Sequence, residues 1–122
     1  MKKLLLLIVF CFMFLCSIAQ NVLNSYAIEI GRWDSRIDNW AWDPAKECDI
    51  KFLLQGDIII ADDMAKSTYF TYKQTEDDDH YGVWLALDEK KRECVVGLYF
   101  DPKISYLVVI YDQIAYRYSF TF

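Results

Sequence analysis

Residues 92–122 read RECVVGLYFDPKISYLVVIYDQIAYRYSFTF, and this stretch decides the fold. In three successive runs every second residue is apolar or aromatic. The first has Cys94, Val96, Leu98 and Phe100, the second Ile104, Tyr106, Val108 and Ile110, the third Ile114, Tyr116, Tyr118, Phe120 and Phe122. A β-strand sends successive side chains to opposite faces, so this period of two, rich in β-branched and aromatic residues, marks half-buried strands. Asp101-Pro102-Lys103 separates the first two runs with Asp then Pro, as a type I turn requires, and Asp112-Gln113 separates the last two.

The same period extends upstream. One face of Lys46–Gln55 carries Cys48, Ile50, Phe52 and Leu54, and one face of Val83–Asp88 carries Val83, Leu85 and Leu87. Gly56-Asp57 puts Gly first in a two-residue loop, which suits a type II′ hairpin. Asp43-Pro44-Ala45 and Asp34-Ser35 read as further turns, Asp88–Arg92 as a charged loop, and Thr75–His80 as an extended polar loop. Ala61–Lys66 has room for one helical turn, and no longer helical stripe is present. Strands are therefore predicted near 25–33, 36–43, 46–55, 57–62, 67–74, 82–88, 92–100, 104–111 and 114–121. Short connections make sequential strands antiparallel neighbours. The expected fold is all-β: one antiparallel β-barrel or β-sandwich domain of about 8–9 short strands, mostly an up-and-down meander.

At the other end of the chain, Lys2-Lys3 precedes an unbroken apolar run, Leu4–Cys16, followed by Ser17-Ile18-Ala19. A charged start, an apolar middle and a small-x-small site form a secretory signal peptide. The run of 13 residues is shorter than the ~20 that a spanning helix needs. A lipid-acceptor cysteine follows a small residue, whereas Cys11 and Cys16 follow Phe10 and Leu15. The expected division is a leader, 1–19, cleaved after Ala19, and a single β domain, 20–122, working in a bacterial periplasm or outside the cell.

Loss of Lys2 and Lys3 with that leader takes the formal charge from −5 to −7. An acidic chain of this kind argues against nucleic acid and against anionic membrane surfaces as partners. Cys48 and Cys94 remain after cleavage, in an oxidising compartment and with no C-x-x-C spacing. Both stand near the start of their strands, and a Cys48–Cys94 disulfide across a closed or two-layered sheet is the one pairing open to them. The alternative is a pair of buried free thiols.

Three groups of side chains suggest chemistry. Trp33, Trp40 and Trp42 cluster in the first hairpin. Exposed indoles stack on sugar rings or line an apolar pocket; as core residues, the reading that aromatic burial favours, they plug or fill a barrel. Asp77, Asp78, Asp79 and His80 gather acceptors for a hard cation in one loop, although the spacing lacks the alternation and Gly turn of a calcium loop; otherwise they form a solvated acidic loop. Asp62-Asp63 would point to opposite faces of a strand, and no nucleophile motif accompanies His80. No catalytic residue and no cofactor are therefore expected.

The final strand, with Tyr116, Tyr118, Phe120 and a terminal Phe122, resembles the last strand of bacterial outer-membrane barrels. Such barrels need strands of ~9–11 residues and a polar lumen. The predicted strands are mostly shorter, and Leu107–Val109 is apolar on both faces. The sequence reading is a small exported, non-enzymatic binding module for a protein surface, a glycan or a small apolar molecule. A membrane-attached β-protein is the alternative, and a small hydrolase or inhibitor the second.

Overall fold

A computed structural model describes residues 22–121 apart from 102. The expected leader, its cleavage site and Phe122 lie outside these residues. Nine strands run in order: β1 Val22–Asp34, β2 Asn39–Trp42, β3 Lys46–Gln55, β4 Ile58–Ala61, β5 Thr68–Asp77, β6 Tyr81–Asp88, β7 Glu93–Tyr99, β8 Ser105–Ile110 and β9 Ile114–Thr121. All pairings are antiparallel, and β1 pairs with β9, so the sheet closes. The fold is an eight-stranded up-and-down barrel with one extra strand, which decides between barrel and sandwich.

The extra strand is β2. Residues 24–32 of β1 face β9 along one edge. On the other edge 22–28 pair with β3 and 31–34 with β2. Strands β2 and β3 therefore run in the same direction along one edge, and Asp43-Pro44-Ala45 is an interruption between them rather than a hairpin turn. The Asp43 amide still donates to the Ile30 carbonyl (2.9 Å). Pro44 has no N–H for the ladder, which ends the regular pairing there.

The Gly56-Asp57 turn matches its expected type. Gly56 has φ +59°, while Asp57 is not among the residues with positive φ. The Ala61–Lys66 stretch leaves β4 as a turn instead of a helical one. At the other end of the barrel, β5 continues to Asp77, so Glu76 and Asp77 belong to a strand and not to the polar loop. Bulges at Tyr72 and Thr75 add two residues to β5 relative to β6, and such insertions bend and twist a strand.

Another bulge, at Tyr26 on β1, reverses which residues face inward. Before it Leu23 and Ser25 point into the lumen, and after it Ile28 does. The lumen is filled by Leu23, Phe52, Val96, Leu107, Tyr118 and Phe120 among others. Phe52 and Tyr118 meet edge to face with centroids 4.8 Å apart. Interiors of eight-stranded barrels are just wide enough for such filling.

Cys48 and Cys94 are both free, which corrects the expected disulfide. Going round the closed sheet, β3 and β7 are four strands apart, on opposite walls. Eight strands ~4.8 Å apart and tilted ~40° make a ring roughly 16 Å across, while a disulfide needs Cα atoms within ~7 Å. Packed side chains occupy the space between. Cys48 instead approaches the Ser25 hydroxyl (Sγ–Oγ 3.4 Å), and burial pushes the Cys94 thiol up to about 11. Denatured without reductant, Cys48 and Cys94 should both take an alkylation adduct; in the native protein Cys94 should be protected. An unalkylated pair in the mass spectrum would contradict the arrangement.

Candidate functional site

The barrel extends at one end through the hairpin that β2 makes with the last residues of β1. Its turn is set by Asp34, whose carboxylate accepts the Arg36 amide (3.0 Å) and the Arg36 guanidinium (3.2 Å), while Ile37 N–H donates to the Asp34 carbonyl. Hydrogen bonds from Arg36 hold the Asp34 carboxyl below its ordinary value. Asp38 takes a positive φ of 51°, a conformation Asp tolerates better than most residues. Trp33 then lies directly opposite Trp40.

All three tryptophans stand on the outer surface of the barrel. They neither fill its lumen nor plug its end. Trp33 is 41% exposed. Its ring meets Trp40 at 77° with centroids 5.6 Å apart, and Trp40 meets Trp42 at 6.3 Å. The reversal at Tyr26 is the cause: Leu23 and Trp33 would share a face in an unbroken strand.

The three rings differ in what they offer. Trp42 lies across Gly31, where a Cβ would come within 2.8 Å of the indole, so only glycine allows that approach. The Arg117 guanidinium sits 4.0 Å from the Trp42 ring centre and 5.3 Å from that of Tyr106. Arg117 is in turn gripped by Glu29 through two hydrogen bonds of 3.2 and 2.7 Å. These side chains are 27% and 20% exposed, and partial desolvation strengthens both the ion pair and the cation–π contact. Trp42 is thus a pinned anchor. Trp33 and Trp40 keep ring surface open to solvent, and their edge-to-face geometry forms a notch rather than a flat platform.

Glu29, Tyr106 and Arg117 were not identified from the sequence. The available signal was Arg117 itself, a lone cation between Tyr116 and Tyr118 in an aromatic strand.

Of the acidic loop, Asp77 closes β5 opposite Gly82. Asp78 accepts the His80 amide on its carboxylate (3.2 Å), and its own amide donates to the Tyr81 carbonyl. These side chains are exposed. Among the described residues, no three His, Cys, Asp or Glu groups gather as a metal site. Asp62 pairs with Lys66 (3.6 Å), and Asp63 accepts the amide and hydroxyl of Ser67, so the two acids are committed to the β4–β5 turn.

Asp88 is the buried acid that sequence reasoning passed over; its side chain is 1% exposed. Its carboxylate accepts the amides of Lys90 (2.9 Å) and Arg92 (2.8 Å), the Arg92 Nε (2.9 Å) and the Tyr111 hydroxyl (2.9 Å). Burial alone would raise this carboxyl, but the four hydrogen bonds outweigh it and hold the group below the usual carboxylate range. The arrangement locks the β6–β7 turn and the end of β8 around one charge.

The fold and this surface define a closed antiparallel barrel with an apolar lumen and an aromatic, cation-braced outer face. Comparisons with protein-family models, curated proteins and solved structures found no match to the chain.

Proposed function

We propose that the protein is a non-enzymatic binding module, exported by its leader, that docks a protein partner through the Trp33–Trp40 notch. The carrying observation is the outward position of these indoles, with Trp33 41% exposed. Ile37, 60% exposed at the tip of the same hairpin, continues the apolar surface. Tryptophan is enriched at binding hot spots because it offers a large contact area with few rotatable bonds. A notch of crossed rings suits an inserted side chain better than the flat face of a sugar. Lys51 and Lys73 stand exposed on β3 and β5, which supports a surface in water over a lipid-facing belt.

A photo-crosslinking residue at position 37 should capture one protein partner from the exported fraction. Trp33→Ala should abolish that adduct and lower stability by only about 1 kcal/mol, the worth of its edge-to-face contact with Trp40. Quenching of indole fluorescence by oligosaccharides without any protein adduct would replace the partner class by a glycan. Unfolding of Trp33→Ala would return the ring to a structural role.

A further inference from the structure

We infer that the lumen holds a second binding site, independent of the outer tryptophans, for a small uncharged ring-shaped molecule. At the barrel end that carries the Gly56-Asp57 turn lies a half-open cavity of about 140 Å³. Leu54 and Ile59, partners across β3 and β4, form one wall. Val96, Leu98 and Leu107, from β7 and β8, form the opposite one. Trp84 is the aromatic side. Its ring leans over Gly82, where a Cβ would be only 2.5 Å away, and Gly82 lies opposite Leu98. The space therefore exists because this inward position carries no side chain and the indole beside it is turned toward the rim.

The chemistry of the walls selects the occupant. Thr71 is a polar residue in the lining, and its amide and hydroxyl both donate to the Asp57 carbonyl (2.8 and 3.1 Å). Leu54, Ile59, Val96, Leu98 and Leu107 offer a water molecule no hydrogen-bond partner, so most of the wall favours an apolar occupant. Apolar cavities of about 150 Å³ accept benzene, so a space of this size suits a single ring. Drug-sized ligands need roughly 300 Å³ or more, so the volume limits the occupant to one ring or its equivalent. Charge is selected against as well. Asp57, an exposed residue, is part of the lining, and among the described residues no cationic side chain lines the cavity to pair with a ligand anion.

Toluene and benzoate, which share a ring and differ in charge, test the site by methyl NMR on the intact protein. Millimolar toluene should shift the methyl signals of Leu54, Ile59, Val96, Leu98 and Leu107 and raise Tm by a few degrees, since a ligand bound only by the native state stabilises it. Benzoate at the same concentration should do neither. Leu98→Phe should fill the space and remove the toluene response. Leu54→Phe serves the same purpose from the facing wall if the first variant does not fold. Trp33→Ala should leave the response intact, which separates this site from the outer face. Absence of methyl shifts with toluene, equal shifts with benzoate, or a toluene response surviving both filled variants would overturn the inference.

Discussion

Phe52→Ala is expected to destabilise the barrel by about 3–5 kcal/mol, the usual cost of removing a buried aromatic ring. Phe52 is 1% exposed, lies between Leu23 and Ala61 on the two neighbouring strands, and meets Tyr118 of β9 inside the lumen. The wall around it is a closed ladder of backbone hydrogen bonds. Such a wall cannot fold inward to fill the void, which places the loss toward the upper part of that range. Domains of this size hold roughly 5–15 kcal/mol in total, so the variant should be marginal. Urea unfolding should show a lower midpoint at an unchanged slope. Phe70→Ala is the control, because that ring is half exposed on the outer face, and its midpoint should move far less. Equal losses in both would mean that the lumen is not the core.

Asp88→Ala should cost about 2–4 kcal/mol, because it strips partners from the half-buried Tyr111 hydroxyl and from two turn amides at once. The wild-type protein should carry the matching pH dependence. The folded carboxyl lies below its unfolded value near 3.9, so the unfolded chain binds the proton more readily. The stability that Asp88 contributes is therefore complete above about pH 5 and is lost as pH falls through the folded value. Unfolding midpoints measured from pH 7 down to pH 2 should show a fall that is smaller in Asp88→Asn. Equal acid sensitivity in the two proteins would remove Asp88 as its source. Arg92→Ala should have a smaller effect, since its guanidinium is largely in water and leaves the amide and hydroxyl donors in place.

The strands were legible because alternation is a local property. The runs around Phe52, Val96, Val108 and Tyr118 each announce a strand without reference to any other. What alternation conceals is parity across an irregularity. The bulge at Tyr26 is one residue long and has no composition of its own, yet it turns Trp33 outward while Leu23 points in. A site composed of outward tryptophans was therefore visible as a cluster and invisible as a surface. The same limit applies to Asp43-Pro44-Ala45, whose residues suit a turn equally well as a break in a continuing edge. Closure depends on the β1–β9 pairing between distant segments, and the fate of the cysteines depends on closure. Neither follows from spacing along the chain. Asp88 looked like one more charge in a charged loop, and only the approach of Tyr111 from another hairpin gives it a buried role.

Ring closure also sets the order in which the chain can fold. Hairpins such as β3–β4 and β6–β7 join near neighbours and can zip early at little entropic cost. The seam between β1 and β9 joins the Ser25 hydroxyl to the Ser119 carbonyl, 94 residues apart. That contact is rewarded only after nearly the whole chain has been organised, and topologies of this kind fold in milliseconds to seconds rather than microseconds. A chain delivered N-terminus first exposes the free edge of β1 until β9 arrives to cover it. During that interval the edge is a template for any other strand, so the seam is the place where self-association competes with folding.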